Sequence, residues 1–356
     1  MVFQGIFAAS LGTSFARAQT PAELRVTSRT IEVNGRAAKV FGIVNGRGGN
    51  GLSLMLGERF RARVKNELDV ETLLHWHGLN PPSAQDGVPM LSQAPLKPGE
   101  FFDYDFVNTR SGTHWMHSHL GLQEQQLLAA PLIVRETVEP LFDGQEHVVL
   151  LHDFTFRDPQ EILAELKGGG GGHAGHAMGG MEMAMPGMRN DITFDAYLAN
   201  DRTLADPEVL RVGKATQIRL RIINGSAASN MWIDLGALQG ELIAVDGNAV
   251  FPLKGSVFPL AIAQRADIRV KLPEGSGAWP ILFRPEGTAA RTGIYLATQG
   301  AEITRLSTAG EMTPAVDVAQ EMKLRSVADL PPEPVTRTEI LALTGGGGDY
   351  LWGLNG

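Results

Sequence analysis

The chain has 356 residues, 43% of them hydrophobic and 20% charged, as in an ordinary globular protein with two or three domains. Acidic residues outnumber basic ones by 39 to 31, and the net charge of −8 argues against nucleic acid or an anionic membrane surface as partner. No apolar run has the length of a transmembrane segment. The 42 glycines and 20 prolines, with few helical patterns, predict an all-β chain rich in turns.

Residues 1–23 differ in character from the rest of the chain. Residues 5–12 are mostly apolar, and the small residues Ala16 and Ala18 precede Gln19. This pattern is typical of the end of a secretory signal cleaved after Ala18, although the basic stretch that normally comes first is absent. We therefore predict export to the periplasm or the exterior. A disordered tail is the alternative.

An alternation of polar and apolar residues over 56–66 predicts a strand with one buried face. The pattern returns at residues 217–224, with matching positions a constant 158 residues apart. The repeat predicts a duplicated domain, and we place the two domains at residues 24–138 and 139–313. The matching pairs are Phe60 and Ile218, Ala62 and Leu220, Val64 and Ile222, and Asn66 and Asn224.

Two His-x-His pairs, at residues 75–77 and 117–119, are the strongest chemical signal. In a strand, residues i and i+2 point to the same face, so each pair presents two imidazoles on one side. Neighbouring strands lie about 4.8 Å apart, so two adjacent pairs would gather four rings in one patch. Such nitrogen ligands suit copper, zinc, iron or nickel better than calcium. The predicted metal ligands are His75, His77, His117 and His119.

Other histidines and tryptophans nearby are predicted to be structural. His114 has the opposite strand parity to the ligands, so we expect it to face away from them. His147 and His152 flank a short apolar strand without a partner motif. Trp76 and Trp115 are predicted to lie in the core behind the ligands.

Asp86 lies eleven residues after His75 and immediately before Gly87. Asp-Gly is a common turn pair, so an ordinary turn is one interpretation. The other is a carboxylate beside the metal, where it would orient imidazoles or water and transfer protons. The residues alone leave both open.

Residues 168–188 are rich in glycine, histidine and methionine and predict a mobile loop. Thioether and imidazole donors at short spacing suit copper, especially Cu(I), so we predict accessory copper binding here. A flexible linker is the alternative. The candidate ligands are His173, His176, Met178, Met181, Met183, Met185 and Met188.

The last part of the chain, residues 314–356, begins with a proline-containing stretch that predicts a linker. A unit of aromatic, apolar and Asn residues precedes both repeated strands, and a third such unit begins at Trp352. We therefore predict the start of a truncated third domain near Arg337. The alternative is a tail that packs Trp352 on the second domain.

Four motifs in register carry a family resemblance: LHWHGL at 74–79, QDGVP at 85–89, PGE at 98–100 and GTHWMHSH at 112–119. Together they resemble the first domain of the multicopper oxidases, which include laccases, ascorbate oxidases and bacterial copper-resistance oxidases. The order of features extends the resemblance over residues 24–356, and it is specific over 70–135. It implies an all-β fold of tandem cupredoxin-like Greek-key β-sandwiches.

The resemblance also implies copper as the cofactor. In the family, a type 1 copper takes electrons from a phenolic, organic or metal-ion substrate, and a trinuclear cluster reduces dioxygen to water. By motif position, His75 resembles the type 2 copper ligand, and His77, His117 and His119 resemble type 3 ligands. The matching acid, Asp86, is implied to help deliver protons to reduced oxygen.

The chain contains no cysteine, whereas the type 1 centre needs the thiolate that the family's third domain supplies. The resemblance thus implies half of a trinuclear site, and this chain alone is predicted to be inactive as an oxidase. Three accounts are open: an incomplete three-domain oxidase, a copper-binding or copper-resistance protein without redox turnover, and a scaffold that has lost copper. The intact histidine pairs argue against the third.

Overall fold

The structure, a computed structural model, describes residues 20–136, 144–167, 191–329, 333–346 and 351–355. Strands dominate these residues, and the predicted all-β class is confirmed. The described part contains one α-helix, α1 (Pro159–Lys167), and no helix in it is long and apolar enough to cross a membrane. The methionine-rich residues 168–188 and the signal-like residues 1–19 lie outside the described part.

The first domain is a sandwich of two four-stranded sheets. Its strands are β1 (Ala22–Val33), β2 (Arg36–Asn45), β3 (Leu52–Met55), β4 (Arg59–Asn66), β5 (His75–His77), β6 (Phe101–Val107), β7 (Gly112–His117) and β8 (Ala129–Arg135). They form sheets in the orders β2-β1-β4-β6 and β3-β8-β7-β5. Phe60 of β4 packs on Trp76 of β5 with ring centroids 4.7 Å apart, so the inner faces of the two sheets share one core.

The second domain is a larger sandwich of a six-stranded and a five-stranded sheet. Its strands are β9 (Gly144–Phe154), β10 (Ala196–Ala199), β11 (Glu208–Arg211), β12 (Gln217–Asn224), β13 (Met231–Asp234), β14 (Gly240–Val245), β15 (Asn248–Gly255), β16 (Val257–Leu260), β17 (Arg265–Lys271), β18 (Ala278–Pro285) and β19 (Thr292–Ala297). The sheets have the orders β10-β9-β12-β17-β14-β15 and β11-β19-β18-β13-β16. The predicted boundary between residues 138 and 139 lies outside the described part.

The two sandwiches share a strand-pairing pattern. In the first, β4 lies parallel to β1 and antiparallel to β6, and in the second, β12 lies parallel to β9 and antiparallel to β17. Asn66 ends β4 and Asn224 ends β12, and both are fully buried. Each side-chain amide donates to two backbone carbonyls, and each side-chain oxygen accepts an N–H two residues on. The repeated asparagine therefore closes the same turn in both domains.

A buried polar network joins the second domain to Thr113 of β7. The Thr113 hydroxyl donates to Asp267 of β17 at 2.5 Å and accepts from Arg221 of β12 at 3.0 Å. Arg221 also donates to Asp267 at 2.9 Å. All three residues are at most 1% exposed. Since a buried charge needs close partners, this network fixes the relative position of β7 and the second sandwich.

Near the end of the chain, β20 (Leu343–Gly346) and β21 (Leu351–Leu354) form an antiparallel pair. Trp352 is 73% exposed. Whether residues 314–356 are a linker and the start of a third domain or a tail of the second sandwich stays a prediction.

Candidate metal centre

The two histidine pairs meet because β5 and β7 are neighbours at one edge of a sheet. The strands are antiparallel, with His75 opposite His117 and His77 opposite Trp115. Directly opposed residues in such a pair have Cβ atoms about 5 Å apart, so side chains on one face touch. His119 lies two residues beyond the end of β7, so the second His-x-His pair only partly belongs to a strand.

The four rings form one cluster. Candidate ligand atoms of His75, His77 and His117 all lie within 4.8 Å of one another. The His119 ring has its centroid 4.6 Å from that of His75 and 4.9 Å from that of His117. His117 is buried, His75 and His77 are half-buried and His119 is exposed, so the cluster opens to the surface on the His119 side.

The closest nitrogens have the spacing of two ligands on one ion. Nδ1 of His77 and Nε2 of His117 lie 3.2 Å apart. Two nitrogens bound to one first-row metal at about 2.0–2.1 Å, with an angle of about 90–110°, would be roughly 2.8–3.4 Å apart. These two rings can therefore share an ion with little rearrangement, and an all-imidazole donor set suits copper.

Asp86 contacts the first histidine through both its backbone and its side chain. Nδ1 of His75 lies 2.8 Å from the Asp86 carbonyl oxygen and 3.2 Å from its carboxylate. The next residue, Gly87, has φ +70°, and a Cβ there would lie 1.7 Å from the Leu74 carbonyl oxygen. Only glycine permits this close approach, which holds Asp86 against His75. With Nδ1 so occupied, Nε2 of His75 is left for a metal.

Glu124 makes the corresponding contact with the second pair. Its carboxylate lies 3.1 Å from Nδ1 of His117, whose other close neighbour is the Ser118 carbonyl at 3.2 Å. Carboxylate or carbonyl partners of this kind fix the orientation of a metal-binding imidazole. Glu124 begins a short 3₁₀ helix after the second pair, and the sequence analysis missed it. An acidic residue within one loop of a His-x-His pair was the available signal.

Trp115 corrects one prediction. It was expected in the core behind the ligands, but it has the same strand parity as His117 and lies on their side of the sheet. Its ring stacks on His117 at 4.0 Å between centroids and lies 5.0 Å from His77. Trp76 does occupy the core of the first sandwich. The buried Trp115 therefore forms an apolar wall of the site.

The environment keeps two of these imidazoles uncharged. Burial, followed by the nearby charge of Arg265, lowers the pKa of His77 to about 3. Burial also lowers the pKa of His75, although its contacts with Asp86 act in the opposite direction. Histidine binds metals in its neutral form. Both rings can therefore accept an ion near pH 7 without first losing a positive charge.

The other predicted residues lie apart from the cluster. His114 is buried and its Nε2 lies 2.9 Å from the Ser111 carbonyl oxygen. His152 is buried in β9 and His147 is half-buried in the same strand. The accessory copper ligands proposed between His173 and Met188 all fall outside the described residues.

Comparison with known proteins gives a consistent assignment. Two family models, both described as multicopper oxidase, match residues 25–139 and 145–307. Copper resistance protein A of Pseudomonas syringae pv. tomato is 30% identical over 283 residues, which cover 71% of this chain and 46% of that protein. Multicopper oxidase MmcO of Mycobacterium tuberculosis is 28% identical over 314 residues, covering 85% of this chain and 61% of that protein.

Solved structures show the same fold. Fet3p, a multicopper oxidase that functions in iron import, matches with a TM-score of 0.70 at 16% identity, covering 90% of this chain and 60% of that chain. A multicopper oxidase from Pseudomonas thermotolerans matches with a TM-score of 0.62 at 25% identity, covering 81% of this chain and 66% of that chain. The chain spans about half the length of the curated relatives it matches. With both sandwiches matched by the family models, this chain belongs to the multicopper oxidase family.

Proposed function

We propose that this chain carries the first-domain half of a trinuclear copper site. In this proposal His75 binds a type 2 copper, and His77, His117 and His119 bind type 3 copper. The observation that supports it most strongly is the 3.2 Å separation of the His77 and His117 nitrogens on adjacent strands.

The proposed activity of the whole enzyme is oxidation of a phenolic, organic or metal-ion substrate coupled to reduction of dioxygen to water. Bound copper supplies the electron-transfer chemistry. The chain's own residues place the imidazoles, exclude water on the Trp115 side, and hold a carboxylate, Asp86, where it can carry a proton at its oxygens. Dioxygen, copper ions and a small reducing substrate are the partners in this scheme.

Copper binding without redox turnover is the second candidate. The chain has no cysteine, and it is 30% identical to a protein named for copper resistance. The coding sequence beyond the Gly356 codon distinguishes the two functions. An open frame that continues into a His-Cys-His motif supports the oxidase, and a stop codon at that point supports copper binding alone.

We further propose a periplasmic or secreted location, supported by the apolar residues 5–12 and the small residues before Gln19. A reporter fused after residue 23 should be exported in bacterial cells. Retention of the reporter in the cytoplasm would contradict this location.

The polypeptide of 356 residues should show no blue absorption and no oxidase turnover after loading with copper. A blue centre requires a thiolate ligand, and this sequence has no cysteine. The measurements are an absorption spectrum and oxygen consumption with a phenol. Copper-dependent oxidation that is lost in His117→Ala would show that electrons enter by another route.

Removal of one histidine pair tests the copper site itself. Each ion would find only part of its ligand shell here, so we expect weak Cu(II) binding in calorimetric titration. The His75→Ala/His77→Ala variant should lose the strongest binding event. His147→Ala, which removes a half-buried histidine of the second sandwich, is the control and should bind as the unmodified chain does. Equal binding by all three proteins would rule out the proposed site.

A further inference from the structure

One side chain of the second domain contacts β7 and the residue that directly follows β5. It belongs to Arg265, the first residue of β17, which is 4% exposed. Its Nε donates to the Thr113 carbonyl oxygen of β7 at 3.1 Å. On the other side, its Nη2 packs against Gly78, the residue that follows His77.

Gly78 is shaped to receive this guanidinium. Its φ is +97°, a conformation that residues with side chains rarely adopt. A Cβ at this position would lie 2.5 Å from Nη2 of Arg265 and 2.4 Å from Nδ1 of His114. The backbone therefore passes directly over the arginine, and a larger residue would push β5 away from it.

The guanidinium is itself held in place from the second domain. Its Nη1 lies 3.1 Å from the Ala263 carbonyl oxygen and 3.0 Å from the Asp246 carboxylate. The same carboxylate oxygen accepts the backbone N–H of Arg265 at 3.0 Å. Such a fork of fixed donors is a property of arginine that lysine cannot reproduce.

The strand β5 needs such support because it has only three residues and lies at the edge of its sheet. Its ladder to β7 ends with the pair of His77 and Trp115. We infer that Arg265 is a positioning residue, which sets the separation of β5 and β7 and hence the spacing of His77 and His117. This inference rests on the proposed copper site. It explains how the second domain, which contributes none of the four histidines, takes part in forming that site.

The positive charge of Arg265 and its positioning contacts lead to opposite predictions for the effect of Arg265→Gln on Cu(II) affinity. A positive charge close to a copper ion repels it, so loss of that charge alone should tighten Cu(II) binding. Loss of the fixed support should weaken it instead, because contacts that orient metal ligands typically contribute about 10- to 100-fold in affinity. Arg265→Lys keeps the charge and loses the fork, so charge alone predicts no change for it.

The experiment measures Cu(II) affinity of the full chain by competition titration, together with the electron paramagnetic resonance spectrum of the first copper bound. We expect about a 10-fold loss of affinity and an altered copper hyperfine pattern in both Arg265→Gln and Arg265→Lys. Arg269→Gln is the control, because Arg269 lies on the same strand and pairs with Glu241 near the surface. It should match the unmodified chain in both measurements.

Near-ultraviolet circular dichroism of the copper-free proteins shows which variants are folded. If Arg265→Gln does not fold, the milder change Arg265→Lys still tests the inference. Tighter binding in Arg265→Gln, or unchanged binding in Arg265→Lys, would overturn the positioning role. The His75→Ala/His77→Ala variant separates this outcome from failure of the copper site. If that variant binds copper as the unmodified chain does, the proposed function itself is wrong.

Discussion

Replacing Asp267 by alanine should lower the free energy of unfolding by about 3–5 kcal/mol, the usual cost of removing one partner from a buried charge pair. Asp267 is 1% exposed and accepts hydrogen bonds from Thr113, Arg219 and Arg221. Arg221 is fully buried, and in the variant it would lose the Asp267 charge while the Glu146 carboxylate stays 2.7 Å away. The loss is large because water cannot replace the missing carboxylate at this depth.

Urea unfolding followed by circular dichroism measures this effect, and Asp103→Ala is the matched control. Asp103 pairs with Arg63 at 2.7 Å, but both side chains are nearly half exposed. An exposed pair of this kind contributes little to stability, because water screens the two charges. If the two variants lose the same free energy of unfolding, the buried network between the domains contributes no more to stability than an exposed ion pair does.

The fold and the centre of the site were predictable from local patterns. Polar–apolar alternation identified β4 and β12, and the recurring asparagine at their ends reflects one turn used twice. The His-x-His spacing was informative for the same reason, since it assigns two side chains to one face of a strand. Local periodicity is sufficient to predict a feature from the sequence wherever the relevant contacts lie within one strand or between neighbouring strands.

Contacts formed by tertiary packing were not predictable in this way. Arg265 reaches β7 from a position 152 residues later in the chain, and no local pattern indicates that distance. Glu124 approaches His117 because a loop folds back onto β7. Trp115 is a different case. Trp115 and His117 are two residues apart, so the sequence already indicated that they share one face of the strand, and the prediction that placed Trp115 behind the ligands ignored this spacing.

His152 should make the copper-free protein sensitive to acid. The ring is 3% exposed, and neither ring nitrogen has a hydrogen-bond partner among the described residues. Burial lowers its pKa to about 4, with opposing smaller effects of Asp201 and Arg29. The unfolded chain therefore takes up the proton near pH 6.5 and the folded chain only near pH 4. Above about pH 6.5, protonation of His152 does not lower the free energy of unfolding. As the pH falls from there to about 4, protonation of the unfolded chain lowers the free energy of unfolding by about 3 kcal/mol.

The His152→Leu variant isolates this contribution, because leucine occupies the buried position without titrating. Urea unfolding at pH 7 and pH 4, in the presence of a chelator, gives the stability difference between variant and unmodified chain at each pH. We expect that difference to shift in favour of the variant by about 3 kcal/mol between the two pH values. Burial raises the pKa of Asp153, which gives the opposite pH slope, but Asp153 is present in both proteins and its effect cancels. Parallel stability curves for the two proteins would mean that His152 gains a proton in the folded state as easily as in the unfolded chain.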